Sequence, residues 1–251
     1  MFKGAKLLAN RTFLSLVRPF YGYRALGKSD INREALAKDL EEHGYVLLKN
    51  VFSETELTKI SSHIEIMLTK TGIAKFQIEY EDDDRTPRQI WDFAFRDRKL
   101  TRYIVLHKKL LSEVSCILGY KPYLFRATVM LKKGKVGSAL GWHQDHAYWP
   151  ISPAPVFSAW IALDDATREN GCMKFIKGEH KQGLRDFTVW GRNAVREIAI
   201  SESSKVSYVP CKAGDVILFD SLIPHATDAN ETPVDRKAAI CTYVSADHSL
   251  S

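Results

Sequence analysis

The spacing of apolar residues divides the chain into an N-terminal part with helical periodicity and a C-terminal part with strand periodicity. Apolar residues recur at helical spacing over 33–40, and Gly44 ends that predicted helix. Residues 45–49 then predict a strand. Ser53 and Glu56 form a capping box for a second helix. Its apolar positions are Leu57, Ile60, Ile64 and Leu68.

Residues 71–98 are predicted to form a polar loop, because Pro87 interrupts them and an acidic run occupies 81–84. Helical spacing then predicts one continuous helix over 100–118. From Pro122 onwards the period changes to two, which indicates a sheet. The predicted strands are 123–131, 156–163, 172–176, 216–220 and 236–244.

Polar segments separate these predicted strands. Residues 132–135 carry three lysines and a glycine and are expected to form a solvated turn. Asn170 and Gly171 predict a tight hairpin turn into strand 172–176. The segment 189–204 is polar and indicates no chemistry of its own.

Length and composition predict one domain with one core. A β-rich chain of 251 residues normally folds as a single domain, which we place at residues 29–251. No apolar run approaches the length of a membrane span. The cysteines form no paired motif, so we interpret them as buried thiols in a reducing compartment, the cytoplasm. They are Cys116, Cys172, Cys211 and Cys241.

The first 28 residues form a basic segment in which apolar residues alternate with cations and no acid occurs. Its six cations equal the whole formal charge of +6, so residues 29–251 are nearly neutral. One interpretation is an arm packed on the domain with its charges solvated. The other is an amphipathic segment that contacts an anionic membrane surface peripherally or lies near an anionic substrate. A cleaved targeting peptide is less favoured, because no small-residue cleavage pattern follows an apolar core.

Candidate chemistry begins at His143 and Asp145. Two donors one residue apart on an extended segment point to the same side and can bind one metal ion. His225 follows an apolar run 82 residues further on and can supply a third donor. Two imidazoles and one carboxylate leave open positions on an octahedral metal, the arrangement of non-heme Fe(II) oxygenases. The carboxylate of Asp145 also favours oxygen insertion over halogenation, which needs that metal position for a halide.

Two residues that follow His225 in the sequence, Thr227 and Arg236, add a second indication of function. Thr227 lies two positions beyond His225, and Arg236 opens the apolar strand that follows. A guanidinium is a rigid two-pronged donor suited to a carboxylate.

These motifs together resemble the phytanoyl-CoA dioxygenase family of Fe(II)- and 2-oxoglutarate-dependent oxygenases. The matching segments are 42–46 (EHGYV), 142–145 (WHQD), 170–173 (NGCM), 178–181 (GEHK), 225–227 (HAT) and Arg236. The resemblance and the strand pattern imply a mainly β fold with flanking α-helices. Its core is expected to be a double-stranded β-helix, which is a jelly roll related to the cupins.

The resemblance also assigns roles at the centre of the site. His143, Asp145 and His225 are expected to hold Fe(II), which binds 2-oxoglutarate and then O2. Arg236, helped by Thr227, is expected to bind the far carboxylate of 2-oxoglutarate. Ascorbate is expected to stimulate the activity, as it does for enzymes that must keep iron reduced.

Further candidates line the expected pocket. Strand 123–131 is expected to border the cosubstrate with Met130 and Arg126, although Arg126 could instead bind an acidic substrate or form a surface ion pair. The substrate candidates are Trp149, Tyr148, Trp91 and Gln89. Their alternative is packing in the core. The other histidines, including His43, His146 and His180, are interpreted as structural.

We therefore expect a dioxygenase that hydroxylates an unactivated C–H bond of a small anionic or amphiphilic metabolite and releases succinate and CO2. Acyl-CoAs, phosphonates, lipid-linked sugars and secondary metabolites all fit that description. Two alternatives remain, a cupin-type metalloenzyme that needs no keto acid and a noncatalytic binding protein. Nucleic acid is not expected as a partner, because the basic residues lack interleaved stacking aromatics. The sequence does not predict an oligomeric state.

Overall fold

The computed structural model describes residues 33–69, 78–149, 151–190 and 195–250. The basic segment 1–28 and its predicted boundary with the domain lie outside these residues. Three α-helices of ten or more residues lie in these ranges, α1 (Arg33–His43), α2 (Glu54–Thr69) and α3 (Lys108–Leu118). None of the helices within the described ranges combines the length and apolar character needed to span a bilayer.

The described residues also contain fifteen strands, numbered here in chain order. They are β1 (Tyr45–Leu48), β2 (Ile78–Tyr80), β3 (Pro87–Ile90), β4 (Tyr123–Lys132), β5 (Leu140–His143), β6 (Ile151–Ser152), β7 (Phe157–Ala162), β8 (Met173–Ile176), β9 (Thr188–Trp190), β10 (Val195–Glu197), β11 (Val206–Val209), β12 (Val216–Asp220), β13 (His225–Thr227), β14 (Arg236–Val244) and β15 (Ser249–Leu250).

Two antiparallel sheets dominate the described fold. The larger has seven strands in the order β1-β12-β7-β14-β4-β3-β2, and the smaller has four in the order β11-β8-β13-β5. Strands that are distant in sequence are neighbours in both sheets, as when β4 pairs with β14. Two short ribbons, β9–β10 and β6–β15, complete the strand pairing.

The larger sheet is buried on both faces, and β12 shows why. Val216 and Leu218 point into a cluster that includes residues of the three helices, whereas Ile217 and Phe219 point between the two sheets. Phe219 packs against Phe175 of the smaller sheet, with ring centroids 5.7 Å apart. A strand covered on both faces needs apolar residues at every position, which is why 216–219 is an unbroken apolar run.

The two facing sheets with helices outside the larger one form the predicted double-stranded β-helix, so the predicted fold class is confirmed. Its site lies between the sheets. The smaller sheet contributes β5 and β13, and the larger sheet contributes the inner faces of β4, β7 and β14.

Two predictions in the region before the sheet are wrong. Residues 71–98 are not simply a loop, because β2 and β3 extend the larger sheet and Gln89 pairs with Met130 of β4. The predicted helix 100–118 is interrupted. A helical turn Arg98–Leu100 continues into a π-helical turn Thr101–Val105, and α3 starts anew with His107 as its N-cap. Apolar spacing continues across this break because both pieces pack on one core.

Two turn predictions also fail. Asn170 and Gly171 do not join a hairpin, because β7 belongs to the larger sheet and β8 to the smaller one. Gly171 has a φ of +82°, and a Cβ there would lie 2.3 Å from the carbonyl oxygen of Asp228. Lys132 is not solvated but buried at the end of β4. Its ammonium donates to the carbonyl oxygens of Ser138 and Asp228, which makes this burial possible.

Candidate metal centre and cosubstrate pocket

His143 and His225 meet because they are directly opposed residues of the neighbouring strands β5 and β13. Opposed side chains of an antiparallel pair have Cβ atoms about 5 Å apart. The two imidazole centroids are accordingly 4.1 Å apart, and both residues are buried. One cross-strand pair therefore brings together two residues that are 82 positions apart in the chain.

Backbone carbonyls orient both imidazoles. Nδ1 of His143 lies 2.8 Å from the carbonyl oxygen of Gly141, and Nδ1 of His225 lies 2.9 Å from that of Ile223. A carbonyl oxygen only accepts, so Nδ1 carries the proton in each ring and Nε2 presents a lone pair. This is the arrangement in which a histidine binds a metal ion through Nε2.

Asp145 completes the group. One of its carboxylate oxygens, Oδ1, lies 3.6 Å from Nε2 of His143 and 3.6 Å from Nε2 of His225. The three ligand atoms all lie within 4.8 Å of one another. The chain is extended through Gln144, as predicted, but Asp145 itself is the first residue of a 3-10 turn, Asp145–Tyr148.

Gln144 holds this turn in place, a role that the sequence analysis missed. Its side chain is fully buried, and its amide donates to the carbonyl oxygens of Gly183 and Leu222. Its carbonyl oxygen accepts from the backbone N–H of Arg185. The motif thus alternates two metal donors with one structural anchor.

The charge state of the group suits a metal ion. Burial and the nearby His225 lower the pKa of His143, which keeps its imidazole neutral at pH 7. Burial by itself would raise the pKa of Asp145, but His225 and His143 together lower it far below its ordinary range. Two imidazole lone pairs and a carboxylate that converge in a buried space repel one another unless a cation lies between them. The donor set therefore fits Fe(II).

Arg236 lies deeper between the sheets and has an incomplete set of partners. It is only 1% exposed, and one terminal nitrogen donates to the carbonyl oxygen of Gly171 at 3.3 Å. Its Nε and other terminal nitrogen have no hydrogen-bond partner among the described residues, and neither has Oγ1 of Thr227. Burial lowers the pKa of Arg236 to about 10, so it stays cationic at pH 7. Unpaired buried donors of this kind fit a bound carboxylate.

Lys132 adds a second basic group beside Arg236, its direct partner on β14. Burial and the charge of Arg236 lower the pKa of Lys132 to about 7. Both residues line a small pocket that Thr227 and Met130 also border. This inner pocket is where the residues present fit the far carboxylate of 2-oxoglutarate.

The inner pocket adjoins a main cavity of about 140 Å³, since Met130, Gln89 and Thr227 line both. Most of the predicted site residues therefore converge on one space between the sheets. Those that line the main cavity are His143, Asp145, His225, Thr227, Arg126, Met130, Gln89, Trp91, Tyr148 and Trp149. Their roles toward cosubstrate and substrate stay predictions.

The cavity has a wall that sequence analysis missed. Val195 lines it, although residues 189–204 gave no chemical signal. Its neighbour Arg196 donates its backbone N–H to the hydroxyl of Tyr148 at 2.7 Å, and its guanidinium donates to the carbonyl oxygen of Ala147. The ribbon β9–β10 is thereby held beside the 3-10 turn that begins at Asp145. The position of this ribbon at the cavity follows from hydrogen bonds between segments that are distant in the sequence. The segment itself has no distinctive sequence pattern.

The remaining histidines singled out in the sequence have backbone or side-chain partners outside the triad. His146 lies 3.2 Å from the hydroxyl of Ser221, and His180 lies 3.0 Å from the carbonyl oxygen of Glu41. His43 lies near Asp39 and Glu42 at the end of α1. Within the described residues the triad is the one group of His, Cys, Asp or Glu side chains close enough to share a metal ion.

A double-stranded β-helix with two histidines and one carboxylate between its sheets defines a non-heme iron enzyme of the 2-oxoglutarate-dependent dioxygenase class. Sequence comparison makes the assignment narrower. The sequence model of the phytanoyl-CoA dioxygenase (PhyH) family matches residues 40–238, and the chain belongs to that family. The predicted family, enzyme class and cofactors, iron and 2-oxoglutarate, are thereby confirmed.

Individual relatives agree with this assignment. The peroxisomal phytanoyl-CoA dioxygenase of Homo sapiens is 28% identical over 232 residues, which cover 84% of this chain and 68% of that protein. Among solved structures, the alpha ketoglutarate dependent carbocyclase SnoK of nogalamycin biosynthesis superposes with a TM-score of 0.72 at 24% identity, covering 88% and 87% of the two chains. EctD from S. alaskensis, solved with 2-oxoglutarate and 5-hydroxyectoine, superposes with a TM-score of 0.74 at 20% identity, covering 90% and 81%.

Proposed function

We propose that this dioxygenase hydroxylates an unactivated C–H bond of a small anionic or amphiphilic metabolite, with release of succinate and CO2. The observation that carries the proposal is the buried, incompletely paired guanidinium of Arg236 beside the cavity that contains the triad. Apolar side chains line most of that cavity around the triad, which suits a C–H bond better than a polar bond as the reacting group.

Bound iron and 2-oxoglutarate would supply the oxidising chemistry, with O2 as the oxidant and succinate and CO2 as the products of the keto acid. This chain's residues do the positioning. His143, Asp145 and His225 hold the metal ion, and Arg236 with Thr227 binds the far carboxylate of 2-oxoglutarate. Trp149, Tyr148, Trp91 and Gln89 are the residues proposed to contact the substrate.

The alternatives account for less of the site. A cupin-type metalloenzyme that needs no keto acid would leave the buried donors of Arg236 and Thr227 without a role. A noncatalytic binding protein would leave the convergent metal ligands without one. Both alternatives predict no succinate.

Succinate release from 2-oxoglutarate, measured with Fe(II), ascorbate and O2, tests the proposal. We expect slow release without substrate and faster release when a metabolite library contains the true substrate. His143→Ala should abolish both, because it removes a metal donor. His43→Ala is the matched control, since His43 lies at the end of α1 away from the cavity and should leave release unchanged. Absent release by the wild type, or full release by His143→Ala, would refute the proposal.

A further inference from the structure

The main cavity and the inner pocket that adjoins it contain two arginines, Arg126 and Arg236, that are far apart along the same pair of strands. Arg236 pairs with Lys132 at one end of the β4–β14 ladder, and Thr242 pairs with Arg126 near the other. Thr242 lies six positions after Arg236, which corresponds to about 20 Å along a strand. One short keto acid cannot bind both arginines.

The metal ligands lie nearer the Arg126 end. Ser158 is opposite Thr242, which is opposite Arg126, so the three form a row across β7, β14 and β4. The hydroxyl of Ser158 lies 3.5 Å from Oδ2 of Asp145. If 2-oxoglutarate extends from Arg236 to the metal, Arg126 lies away from Arg236, at the same end of the ladder as Asp145, where the primary substrate would bind.

Arg126 is oriented by its neighbours, but part of its guanidinium makes no hydrogen bond to the described residues. Its Nε donates to Asp92 at 3.2 Å, whereas its two terminal nitrogens make no hydrogen bond to the described residues. Its guanidinium carbon lies 4.2 Å from the centre of the Trp91 ring. The side chain is 32% exposed and lines the main cavity. A planar fork that is already oriented loses little entropy when it binds an anion.

Neighbouring residues hold Trp91, one of the two contacts of Arg126, in place. The indole N–H of Trp91 donates to Glu79 at 2.9 Å, and Glu79 also accepts from Arg88 at 3.3 Å. Asp92 has a φ of +52° and a ψ of +40°, a left-handed conformation that is uncommon for a residue with a side chain. A half-exposed ion pair such as Arg126–Asp92 contributes little to stability. Stability alone therefore does not account for the arrangement of Trp91, Asp92 and Arg126.

We propose that Arg126 is a specificity-determining residue that binds the carboxylate of an organic acid whose apolar body lies against the aromatic wall of the cavity. This inference rests on the proposed function and adds the substrate class and its orientation. The carboxylate would lie at the Arg126 end, opposite to 2-oxoglutarate. Trp149 and Ile240 line the cavity as apolar surfaces for the rest of the molecule.

The experiment compares an acid with its neutral amide. Wild-type protein is loaded with Mn(II) and 2-oxoglutarate, so that no turnover occurs, and titrated calorimetrically with 3-phenylpropionate and with 3-phenylpropanamide. We expect the acid to bind about tenfold to a hundredfold more tightly, the range for one charge-assisted contact. Arg126→Gln should remove this preference, and Arg126→Lys should retain only part of it because the fork is lost.

Two controls distinguish a failure of the role of Arg126 from a failure of the proposed function. Arg168→Gln removes an exposed arginine outside the cavity and should retain the full preference. Binding of 2-oxoglutarate to the Mn(II) protein should be the same in wild type and Arg126→Gln, because Arg236 is unchanged. Acid that binds no better than amide to wild type, or a preference that persists in Arg126→Gln, would overturn the role of Arg126. Failure of 2-oxoglutarate to bind the wild type would instead overturn the proposed function.

Discussion

Arg236 shows how one side chain connects fold and chemistry. Its position at the start of β14 places a cation where water is excluded. Among the described residues its guanidinium lies over the ring of Trp160 and donates one hydrogen bond, to the carbonyl oxygen of Gly171. Such a residue is costly to bury alone, and a bound carboxylate offsets that cost. The buried guanidinium thus fits the proposed role of Arg236 as the partner of the cosubstrate carboxylate.

Arg236→Ala should raise the 2-oxoglutarate concentration needed for half-maximal succinate release by roughly a hundredfold, or about 3 kcal/mol, because a buried charge-assisted contact is lost. The measurement is succinate release against 2-oxoglutarate concentration. Iron binding should persist, since the triad is intact. An unchanged requirement would show that the keto acid binds elsewhere.

Asp220 predicts a dependence of stability on pH. Burial raises the pKa of Asp220 to about 7, against an ordinary value of 3.8. Between these values the folded protein holds a proton that the unfolded chain releases, so this residue stabilises the fold at acid pH and loses that contribution as pH rises to 7. Asp220→Asn keeps the acceptor for the backbone N–H of Leu222 but cannot ionise.

Urea unfolding at pH 4 and pH 8 measures this effect. The variant should gain on the order of 2 kcal/mol relative to wild type between the two pH values, because it avoids a buried charge. Denaturation at both pH values isolates the difference between the two proteins from the titration of other groups. A difference that does not change with pH would contradict the prediction.

The ribbon β9–β10 is the element that forms the outer wall of the cavity. Beyond its contacts to Tyr148 and Ala147, the guanidinium of Arg196 lies 5.0 Å from the ring centre of Phe187. Tyr148 in turn lies edge-on to the metal ligand His143, with ring centroids 6.1 Å apart. One arginine therefore joins the wall of the cavity to the turn that carries Asp145.

Arg196→Ala should loosen the attachment of the ribbon β9–β10 to the turn Asp145–Tyr148. We expect chymotrypsin to cleave after Phe187 about fivefold to tenfold faster, since loss of a cation–π contact and a hydrogen bond favours opening by about 1 kcal/mol. Digestion followed by mass spectrometry measures the rate. Arg168→Ala, which loses a cation–π contact to Tyr208 elsewhere, serves as control and should leave cleavage at Phe187 unchanged. Equal rates for all three proteins would show that Arg196 does not hold the ribbon.

For the folded protein as a unit, the metal ion and the cosubstrate should act as stabilising ligands, because both bind the folded state and the cosubstrate would connect the metal site on the smaller sheet with Arg236 on the larger one. The histidines come from the smaller sheet and Arg236 from the larger one. Ligand at about a hundred times its dissociation constant adds about 2.7 kcal/mol to the free energy of unfolding.

For a chain of this size, Mn(II) with 2-oxoglutarate should therefore raise the melting temperature by roughly 5–10 °C, as measured by calorimetry. Arg236→Ala should retain the increment from Mn(II) and lose the one from 2-oxoglutarate. His143→Ala should lose the increment from Mn(II). If the melting temperature of the wild type stays constant, neither ligand binds the described site.

The sequence was most informative where local chemistry and spacing coincide. The pair His143 and Asp145, followed by His225, predicts the metal site, and the strand pattern together with the family resemblance predicts the fold. Prediction failed where contacts rather than periodicity decide structure. The segment 71–98 contributes two strands because β4 offers an edge, and Lys132 is buried because two carbonyl groups are near.

By itself, the sequence determined the class of enzyme, since the candidate metal donors and the arginine proposed to bind a carboxylate are recognised by residue type and order. Tertiary structure alone decided the rest. It placed His225 opposite His143, separated Arg126 from Arg236 by the length of a strand ladder, and brought Val195 to the cavity. The physical reason is that register between strands distant in sequence depends on packing across both sheets, which no local pattern of apolar residues specifies.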